Sequence, residues 1–336
     1  MRIVVVGATG NIGTAVVEQL AAEPQVRQVV GVARRLPATR DAATPGGVPV
    51  TWHGADVRTD SLEPIFDGAD AVVHLAWMFQ PTHDPETTWA TNAIGTSRVL
   101  EAATRAGVSQ VVAASSIAAY SPRVDDSPVD ESYPTDGASA SSYAREKAYV
   151  ERLLDTHEAR GDLVVTRLRP AFVFQRRASS EQVRIFGGSW VPQRLVRPGL
   201  VPVLPFPRDV FFQTVHAADL ADAVVRTMLQ RAGGPFNLCA PGVVEPADLA
   251  ALLDARHVPV PKLLVRGAIA AGWHSHLVGA DPRLWDALTR LPVMSDERAR
   301  TELGWAPAHT ATEALAEMLT GVRERAGHGT APLHPA

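Results

Sequence analysis

The chain has 336 residues, of which 46% are hydrophobic, and its net charge of −4 leaves no surplus of basic residues. This length allows one large or two modest domains with a substantial core, and the charge argues against nucleic acid as a partner. The single cysteine, Cys239, excludes an internal disulfide, and no apolar run approaches membrane-spanning length. We therefore expect a cytoplasmic protein with neither nucleic acid nor membrane as a partner.

The first 22 residues combine an apolar run of strand length, three glycines and a helical pattern of apolar positions. Gly7 permits a tight turn, Gly10 lets the backbone approach a pyrophosphate, and Gly13 allows the helix to pack closely on the strand. The N-terminus of that helix would then face the phosphates of a ligand. This arrangement predicts a dinucleotide-binding site.

The next predicted strand, residues 26–33, ends at a position that selects the cofactor in dinucleotide-binding proteins. An acidic side chain there binds the ribose 2′-hydroxyl of NAD, whereas this chain has Ala33 followed by Arg34 and Arg35. Guanidinium groups suit a 2′-phosphate, although two arginines in a loop are also typical of solvated charges. We expect NADP as the preferred cofactor and NAD as the alternative.

Strands and helices alternate up to about residue 170, which indicates βαβ units and a parallel sheet covered on both faces. The further strands are predicted at residues 71–75, 108–115 and 163–168, and the helices near 13–22, 87–106 and 141–159. The sequence therefore predicts an α/β fold with a Rossmann-type doubly wound parallel sheet.

The residues after Pro170 have a different character, because prolines and glycines crowd residues 186–210 and predict loop structure. We see no internal repeat that would divide the chain further. The predicted division is a dinucleotide-binding domain of residues 1–174 to which 213–240 return, a smaller C-terminal substrate-binding region of 175–212 and 241–326, and a disordered tail of 327–336.

Tyr143 and Lys147 lie four residues apart in a predicted helix, so the phenol and the ammonium share one helix face. A free tyrosine titrates near ~10, and acid-base work near neutrality needs a shift of about 3 units, roughly 4 kcal/mol. A neighbouring lysine, a positively charged cofactor and a hydroxyl donor could together supply that shift. Taken alone, the spacing is more typical of a tyrosine and a lysine on a helix surface.

These features occur in the order found in one large enzyme superfamily. The glycine triplet at 7, 10 and 13, the Asn92-Ala-Ile-Gly-Thr segment and the Ser115-Ser116 pair all precede Tyr143 and Lys147. Together with later landmarks such as Val215-His216-Ala-Ala-Asp219, they resemble the extended, epimerase/dehydratase-like branch of the short-chain dehydrogenase/reductase superfamily. The resemblance spans nearly the whole chain.

The resemblance implies hydride transfer at the nicotinamide C4, with Ser116, Tyr143 and Lys147 as the catalytic residues. Tyr143 would exchange a proton with the substrate oxygen, Ser116 would hydrogen-bond that oxygen, and Lys147 would lower the pKa of the tyrosine and hold the nicotinamide ribose. The implied cofactor-binding residues are Gly7, Thr9, Gly10, Asn11, Ile12, Gly13, Arg34, Arg35, Asp56, Val57, Leu75, Ala76, Trp77, Asn92, Ser115, Tyr143, Lys147, Pro170 and Ala171. Two roles stay open for Asn92. It could act in a relay or bind the cofactor, or it could cap or kink its helix.

The substrate positions depart from the nucleotide-sugar enzymes of this branch, which hold the diphosphate with an asparagine and an arginine. Phe172 and Phe212 appear at the corresponding positions, and an aromatic ring cannot replace a charged or amide donor. Arg176 or Arg208 could substitute for them. We therefore predict an NAD(P)-dependent oxidoreductase of ketoreductase or alcohol dehydrogenase type, acting on a small, largely apolar carbonyl or hydroxyl compound held by Ser116, Phe172 and Phe212.

Two other functions stay open at this point. The first is a nucleotide-sugar epimerase or dehydratase that uses NAD transiently. The second is a cofactor-binding regulator without catalysis, which the presence of Ser116, Tyr143 and Lys147 disfavours. The histidines show no metal-ligand pattern, so we expect no metal site.

Many relatives form a dimer through the two helices near 87–106 and 141–159, and a homodimer is therefore expected here. Val99, Leu100, Val150 and Leu153 could supply its apolar contacts. The alternative for each of these residues is packing on the sheet of its own chain.

Overall fold

The computed structural model describes residues 1–37, 47–79, 83–186, 200 and 202–334. Its strands are β1 (Arg2–Val6), β2 (Gln28–Ala33), β3 (Val50–Gly54), β4 (Ala71–His74), β5 (Gln110–Ala114), β6 (Pro128–Val129), β7 (Val164–Pro170), β8 (Phe172–Phe174), β9 (Val203–Phe206), β10 (Thr214–His216), β11 (Gly234–Leu238), β12 (Arg256–Pro259) and β13 (Val293–Met294). Its α-helices are α1 (Asn11–Ala22), α2 (Glu63–Phe66), α3 (Pro85–Trp89), α4 (Gly95–Arg105), α5 (Ser142–Arg160), α6 (Ser179–Phe186), α7 (Ala217–Gln230), α8 (Pro246–Leu252), α9 (Lys262–His274), α10 (Pro282–Leu288), α11 (Glu297–Leu303) and α12 (Ala311–Glu324).

A seven-stranded sheet runs through the described part of the chain in the order β11-β7-β5-β4-β1-β2-β3, and each pair of neighbours is parallel. The predicted α/β class with a Rossmann-type sheet is confirmed. The prediction missed β3 because it is an edge strand, and its partly exposed Val-Thr-Trp-His-Gly sequence lacks the apolar run of the buried strands.

Both faces of the sheet are covered, because successive residues of a strand point to opposite sides. In β1, Ile3 and Val5 pack with α1 and α7 on one face. Val4 and Val6 pack with α4 and α5 on the other. Trp305 lies fully buried in the first layer, although residues 241–326 were assigned to the substrate-binding region. The segment around Trp305 therefore belongs to the main core, because its large indole needs a buried apolar site.

The helix predicted near 87–106 consists of α3, a π-helical turn at Ala90–Ile94 and α4. Asn92 lies inside that turn. The helix predicted near 141–159 is confirmed as α5, which begins where the hydroxyl of Ser141 accepts a hydrogen bond from the Ala144 N–H and ends at Gly161 with a φ of 74°. Within the described residues, no helix is both long and apolar enough to cross a membrane.

The apolar residues proposed for a dimer are used inside the chain. Val99, Leu100 and Val150 are buried in the core layer beneath the sheet, and Leu153 packs against the same layer. The alternative of packing on the parent sheet therefore holds for these four side chains. A dimer would need other contacts.

Two predictions about irregular structure differ from the observed fold. Residues 203–206 of the proline-rich stretch form β9, which pairs in parallel with β12; residues 187–199 and 201 of that stretch lie outside the described residues. The tail is ordered through residue 334, because Leu333 is fully buried and the hydroxyl of Thr330 donates to the Thr9 carbonyl at 2.9 Å. Disorder was expected because the tail is rich in glycine and proline, and those residues do not reveal a distant docking site.

Candidate active site

The site lies where the strand order changes direction, between β1 and β4, which is where open parallel sheets bind ligands. Gly7 follows β1 with a φ of 90°, and a Cβ there would stand 2.6 Å from the backbone nitrogen of Ala76. A Cβ at Gly13 would collide with the carbonyl oxygen of Gly7. No side chain fits at either glycine, so the turn after β1 packs directly against the backbone that follows β4.

Two adjoining cavities open at this place, and the lining residues that they share are Gly7, Gly10, Leu75, Trp77, Phe79, Glu181 and Ile185. The first, which we call the tyrosine cavity, has a volume of about 230 Å³ and is lined by Ser116, Tyr143 and Lys147. The second, the arginine cavity, has a volume of about 650 Å³ and is lined by Arg34, Arg35 and Arg184. Together they offer a groove from the glycine turn towards Tyr143.

Ser116 and Tyr143 are in direct contact at the tyrosine cavity. The Tyr143 hydroxyl donates to the Ser116 Oγ at 3.2 Å, and the backbone N–H of Ala118 donates to the same oxygen at 3.1 Å. Because Oγ already accepts two hydrogen bonds, the proton of the Ser116 hydroxyl is left to donate to a ligand oxygen.

Lys147 is buried one helical turn after Tyr143. Its Nζ donates to the Ala114 carbonyl at 2.9 Å and lies 3.4 Å from the centroid of the Trp77 ring. The Trp77 ring in turn packs edge-on against Tyr143, with 5.8 Å between the ring centroids. The indole N–H of Trp77 is buried with no hydrogen-bond partner among the described residues, so it is a donor that an acceptor on a ligand could satisfy.

Burial controls the protonation of both side chains in the protein without a ligand. It raises the pKa of Tyr143 to about 12, against a lowering by the hydrogen bond with Ser116 and a further rise caused by the Glu146 carboxylate. Burial lowers the pKa of Lys147 to about 7, which the carboxylates of Glu151 and Glu146 partly offset. The expected lowering of the tyrosine pKa by Lys147 is therefore absent from this state, because the ammonium itself is only weakly retained.

Ser115 has a different role from its neighbour. Its hydroxyl donates to Glu151 at 2.5 Å, and Arg169 binds both oxygens of the same carboxylate at 2.9 and 2.8 Å. Glu151 is fully buried, so this network fixes β5 and β7 to α5 directly below Lys147. Ser115 lines the tyrosine cavity, but its hydroxyl is already bonded.

Asn92 and Asp56 do not line either cavity among the described residues. The Asn92 amide binds both the N–H and the carbonyl of Met78, at 2.7 and 2.8 Å, and donates to Glu146 at 2.6 Å. Asp56 is held by Arg58 at 2.7 Å. Asn92 therefore positions the segment after β4 and α5, which favours the structural alternative over a relay.

The arginine cavity also receives residues from α6, which sequence reasoning did not assign to it. Glu181 and Arg184 line it together with Gly10, and Pro332 of the tail lies against the same space. The Glu181 carboxylate faces the backbone N–H of Asn11, at the N-terminus of α1, and that N–H acts to lower its pKa. A carboxylate thus lies where that helix end would face a phosphate.

Burial raises the pKa of Glu181 to about 7, although the positive charge of Arg184 and the Asn11 N–H both lower it. The carboxyl group is therefore divided between its neutral and charged forms near neutral pH. No local pattern in the sequence could have revealed this residue, because only the tertiary structure brings α6 to the glycine turn.

A third cavity of about 440 Å³ adjoins the tyrosine cavity, and we call it the apolar chamber. Phe172 lines both spaces, whereas Phe212 lines only the chamber; their rings pack edge-on, with 5.4 Å between the centroids. The described lining of the chamber is Phe172, Phe174, Gln182, Val183, Phe206, Val210, Phe211, Phe212, Leu249, Ile269, Ala280, Leu284, Trp285, Leu288, Thr289, Met318, Leu319 and Val322.

The structure thus brings together most of the predicted site residues. Those that line the tyrosine or arginine cavity are Gly7, Thr9, Gly10, Asn11, Ile12, Gly13, Arg34, Arg35, Val57, Leu75, Ala76, Trp77, Ser115, Ser116, Tyr143, Lys147, Pro170, Ala171 and Phe172. The residues that the sequence reasoning missed include Met78, Phe79, Glu181, Arg184 and Leu291.

Ligand atoms of His216, His309 and Glu317 lie within 4.8 Å of one another, away from these cavities. His216 Nδ1 accepts the Ala218 N–H at the start of α7, and its Nε2 lies 3.1 Å from Glu317. A neutral ring with this tautomer offers no lone pair at Nε2 to a metal. His216 is thus held by two hydrogen bonds, and only the fold reveals this cluster because its members are distant in sequence.

A family model described as the NAD dependent epimerase/dehydratase family matches residues 3–239. An uncharacterized protein of Mycobacterium tuberculosis is 27% identical over 333 residues, which are 98% of this chain but only 31% of that protein. The chain therefore spans less than a third of the length of that relative. A UDP-glucose 4-epimerase of Streptomyces lividans is 24% identical over 340 residues, covering 91% of this chain and 92% of the relative.

Solved structures show the same fold. A UDP-glucose 4-epimerase from Stenotrophomonas maltophila, with bound NAD and formylated UDP-arabinopyranose, superposes with a TM-score of 0.72 at 23% identity over 96% of this chain and 98% of that one. A dTDP-glucose 4,6-dehydratase from Streptomyces venezuelae with bound NAD gives a TM-score of 0.70 at 20% identity over 96% and 97%. These similarities extend along nearly the whole chain.

Proposed function

This chain belongs to the NAD dependent epimerase/dehydratase family, and on that premise we propose that it is an NAD(P)-dependent oxidoreductase of ketoreductase or alcohol dehydrogenase type. Its substrate is a small, largely apolar carbonyl or hydroxyl compound. The observation that carries the proposal is the apolar chamber, which adjoins Tyr143 through Phe172 and has no charged residue in its described lining.

The two cavities fit a dinucleotide. The close backbone packing at Gly7 and Gly13, the N-terminus of α1 and the unpartnered indole N–H of Trp77 suit a ligand with a diphosphate and several acceptors. Arg34 and Arg35 would hold the adenosine end, and Lys147 the end near Tyr143. When bound, the nicotinamide supplies or accepts the hydride.

The protein side of the reaction is a proton transfer at the substrate oxygen. Because the pKa of Tyr143 is raised to about 12, its phenol is protonated at neutral pH and is ready to donate to a carbonyl oxygen during reduction. Ser116 donates a second hydrogen bond to the same oxygen. Oxidation of an alcohol would instead need a lower tyrosine pKa, which a nearby cationic ring and a protonated Lys147 favour.

We propose NADP as the preferred form of the cofactor, with NAD as the alternative. Ala33 supplies no carboxylate for a ribose 2′-hydroxyl, and the exposed Arg34 and Arg35 line the arginine cavity with Arg184. The related structures described above hold NAD, which favours the alternative.

A nucleotide-sugar epimerase or dehydratase is the second candidate. The long alignment with the Streptomyces lividans UDP-glucose 4-epimerase supports it. Phe172 and Phe212 oppose it, because a diphosphate entering this lining would lose its hydration without gaining matched donors, at a cost of several kcal/mol. A non-catalytic regulator is disfavoured by the hydrogen-bonded Ser116 and Tyr143 pair.

The deciding experiment measures two reactions with the purified protein. We expect saturable oxidation of NADPH with an aromatic or alicyclic ketone, and neither reaction with nor competition by UDP-glucose or dTDP-glucose at millimolar concentration. Conversion of a nucleotide sugar without any ketone turnover would replace this proposal with the second candidate. Retention of tightly bound NAD through purification would point the same way, because an epimerase regenerates its cofactor.

A further inference from the structure

We propose that the substrate carries a hydrocarbon extension, a chain of several carbons or a further ring, which occupies the apolar chamber while its carbonyl lies at Ser116 and Tyr143. This inference rests on the proposed function and narrows its substrate class. The occupant of the chamber is therefore part of the substrate itself, because the chamber and the tyrosine cavity are neighbouring spaces that share lining residues.

The chamber and the tyrosine cavity share part of their lining. Phe172, Gln182 and Leu288 line both the tyrosine cavity and the chamber. A molecule bound at Tyr143 therefore meets the chamber at these three residues. The two spaces meet at these three side chains, so an apolar group that extends from the carbonyl would reach the chamber by passing between them.

The chemistry of the lining is the second argument. The two polar side chains near the common wall, Gln182 and Thr289, already donate to backbone carbonyls, those of Val173 at 3.5 Å and Asp286 at 3.3 Å. Arg123 lies over the ring of Phe211 at 4.3 Å, but it is paired with Asp126 and is not part of the described lining. The described walls therefore offer mostly burial of apolar surface, and they include no charged side chain that could pair with a charged group.

The chamber is also larger than a small ketone needs. A cavity of about 150 Å³ lined by apolar side chains suffices to bind benzene, and the chamber has a volume of about 440 Å³. A methyl or ethyl ketone would leave most of this space without a partner. A ligand with a chain or ring system fills it and removes more apolar surface from water.

The test measures kcat/KM for a homologous series of 2-alkanones, from 2-butanone to 2-dodecanone, with NADPH. Burial of one methylene group favours binding by ~0.8 kcal/mol, so kcat/KM should rise about four-fold for each added carbon over several carbons and then level off. The half-buried Ala280 lines the chamber, and Ala280→Leu should abolish the rise of kcat/KM for long ketones.

Ile269→Trp is a second blocking variant, on α9, a helix with no buried residue, so it does not depend on a rigid core. Ala316→Leu is the matched control, because Ala316 is half-buried on α12 and lines neither the chamber nor the tyrosine cavity. The control should retain the full dependence on chain length. A flat series in the native protein, or an equal rise in the native protein and in both blocked variants, overturns the inference and leaves the proposed function intact.

A binding measurement separates the two proposals if no ketone is turned over. We expect 2-dodecanol to raise the Tm of the native protein and of Ala316→Leu, and to leave that of Ala280→Leu unchanged. That result without turnover would support the chamber as a hydrocarbon site while rejecting the proposed reaction. Absence of both turnover and a Tm shift would overturn both.

Discussion

At the scale of single residues, Tyr143 and Lys147 are buried polar groups that the fold keeps at a cost. Among the residues that the structure describes, the Lys147 ammonium has one hydrogen-bond acceptor, the Ala114 carbonyl, and it lies over the face of the Trp77 ring. The phenol of Tyr143 has Ser116. Buried polar groups with so few partners are typical of catalytic sites, where the missing partners come from ligands.

Replacement of Tyr143 by phenylalanine tests the proton transfer. We expect Tyr143→Phe to lower kcat at least ~100-fold, the lower end for general acid-base catalysis, with nearly unchanged affinity for the cofactor. Steady-state kinetics with a ketone substrate and a separate cofactor titration would measure the two effects. Turnover close to that of the native protein would exclude Tyr143 as the acid.

Replacement of Lys147 by methionine tests the cost of its burial. The folded state holds the pKa of Lys147 at about 7, whereas the unfolded chain keeps the ordinary value near ~10.4. Stability of the native protein therefore rises with pH between these values, because the unfolded state binds the extra proton. The ligand-free Lys147→Met variant should melt above the native protein at pH 6, and the gap should narrow from pH 7 towards pH 10.

Calorimetry on both proteins would measure this gap, and Lys262→Met is the control because Lys262 is partly exposed and paired with Asp209 at 2.7 Å. The control should show no such pH-dependent gain. Equal melting temperatures of the native protein and the Lys147→Met variant at pH 6 would mean that burial of the ammonium carries no cost. Turnover by the Lys147→Met variant should nevertheless be lost.

At the scale of elements, the proposed cofactor groove is lined by two segments that are far apart in sequence. The end of β2 brings Arg34 and Arg35, and α6 brings Glu181 and Arg184. The sequence predicted the segment after β2, because the end of that strand selects the cofactor in dinucleotide-binding proteins. It did not predict the contribution of α6. Each makes a separate prediction about charge in the groove.

Arg34 and Arg35, which follow β2, should bind the 2′-phosphate of NADP. Replacing both Arg34 and Arg35 by alanine should weaken NADPH binding by ~1.5 to 3 kcal/mol for each lost charge-assisted contact and leave NADH almost unchanged. Fluorescence titration with the two reduced cofactors would measure this difference. Equal losses for both cofactors would show that these arginines do not bind the 2′-phosphate.

Glu181 on α6 should make NAD binding depend on pH. With a pKa of about 7, its carboxyl is mostly neutral at pH 6 and mostly charged at pH 8, where it repels a diphosphate at the N-terminus of α1. NAD affinity of the native protein should therefore fall from pH 6 to pH 8. Glu181→Gln should bind NAD about ten-fold more tightly than the native protein at pH 8, the equivalent of roughly 1.4 kcal/mol.

NAD is the right probe because it lacks the 2′-phosphate, which titrates near ~6. Glu86→Gln, an exposed position in α3, serves as the control and should keep the native pH profile. An identical pH profile for the native protein and Glu181→Gln would show that the carboxyl does not face the diphosphate. Lys147 also titrates in this window, but it contributes equally to both proteins.

At the scale of the whole molecule, an exposed apolar patch lies on the face formed by α3, the π-helical turn and α5. Trp89, Ile94 and Tyr149 are 37%, 50% and 42% exposed, and the rings of Trp89 and Tyr149 pack with 4.7 Å between centroids. Exposed apolar side chains that cluster are typical of protein interfaces. These residues replace Val99, Leu100 and Val150 as candidates for dimer contacts.

Assembly can be tested with charges placed in this patch. We expect the native protein to be a dimer at micromolar concentration, and Ile94→Glu with Tyr149→Glu to yield monomers that remain folded, because a buried unpaired carboxylate is costly. Light scattering measures the mass. Leu263→Glu, at a 78% exposed position on α9, is the control and should leave the dimer intact. A monomer mass for the native protein would reject the dimer.

The sequence by itself determined the features that depend on local order. The spacing of Gly7, Gly10 and Gly13, the four-residue step from Tyr143 to Lys147 and the alternation of strands and helices each have a local physical cause, so they predicted the sheet, α5 and most of the lining of the two cavities. A single sequence carries these signals because turn geometry and helix periodicity act over a few residues.

Only the tertiary structure decided the features that depend on distant contacts. Glu181 lies beside the backbone of Asn11, 170 positions earlier in the sequence. Leu333 is buried although its tail is rich in glycine and proline. The side-chain amide of Asn92 is hydrogen-bonded to Met78 and Glu146. It also decided that Lys147 is too deeply buried to lower the tyrosine pKa in the ligand-free protein. Burial and desolvation depend on what the rest of the chain places around a group, and no local pattern encodes that environment.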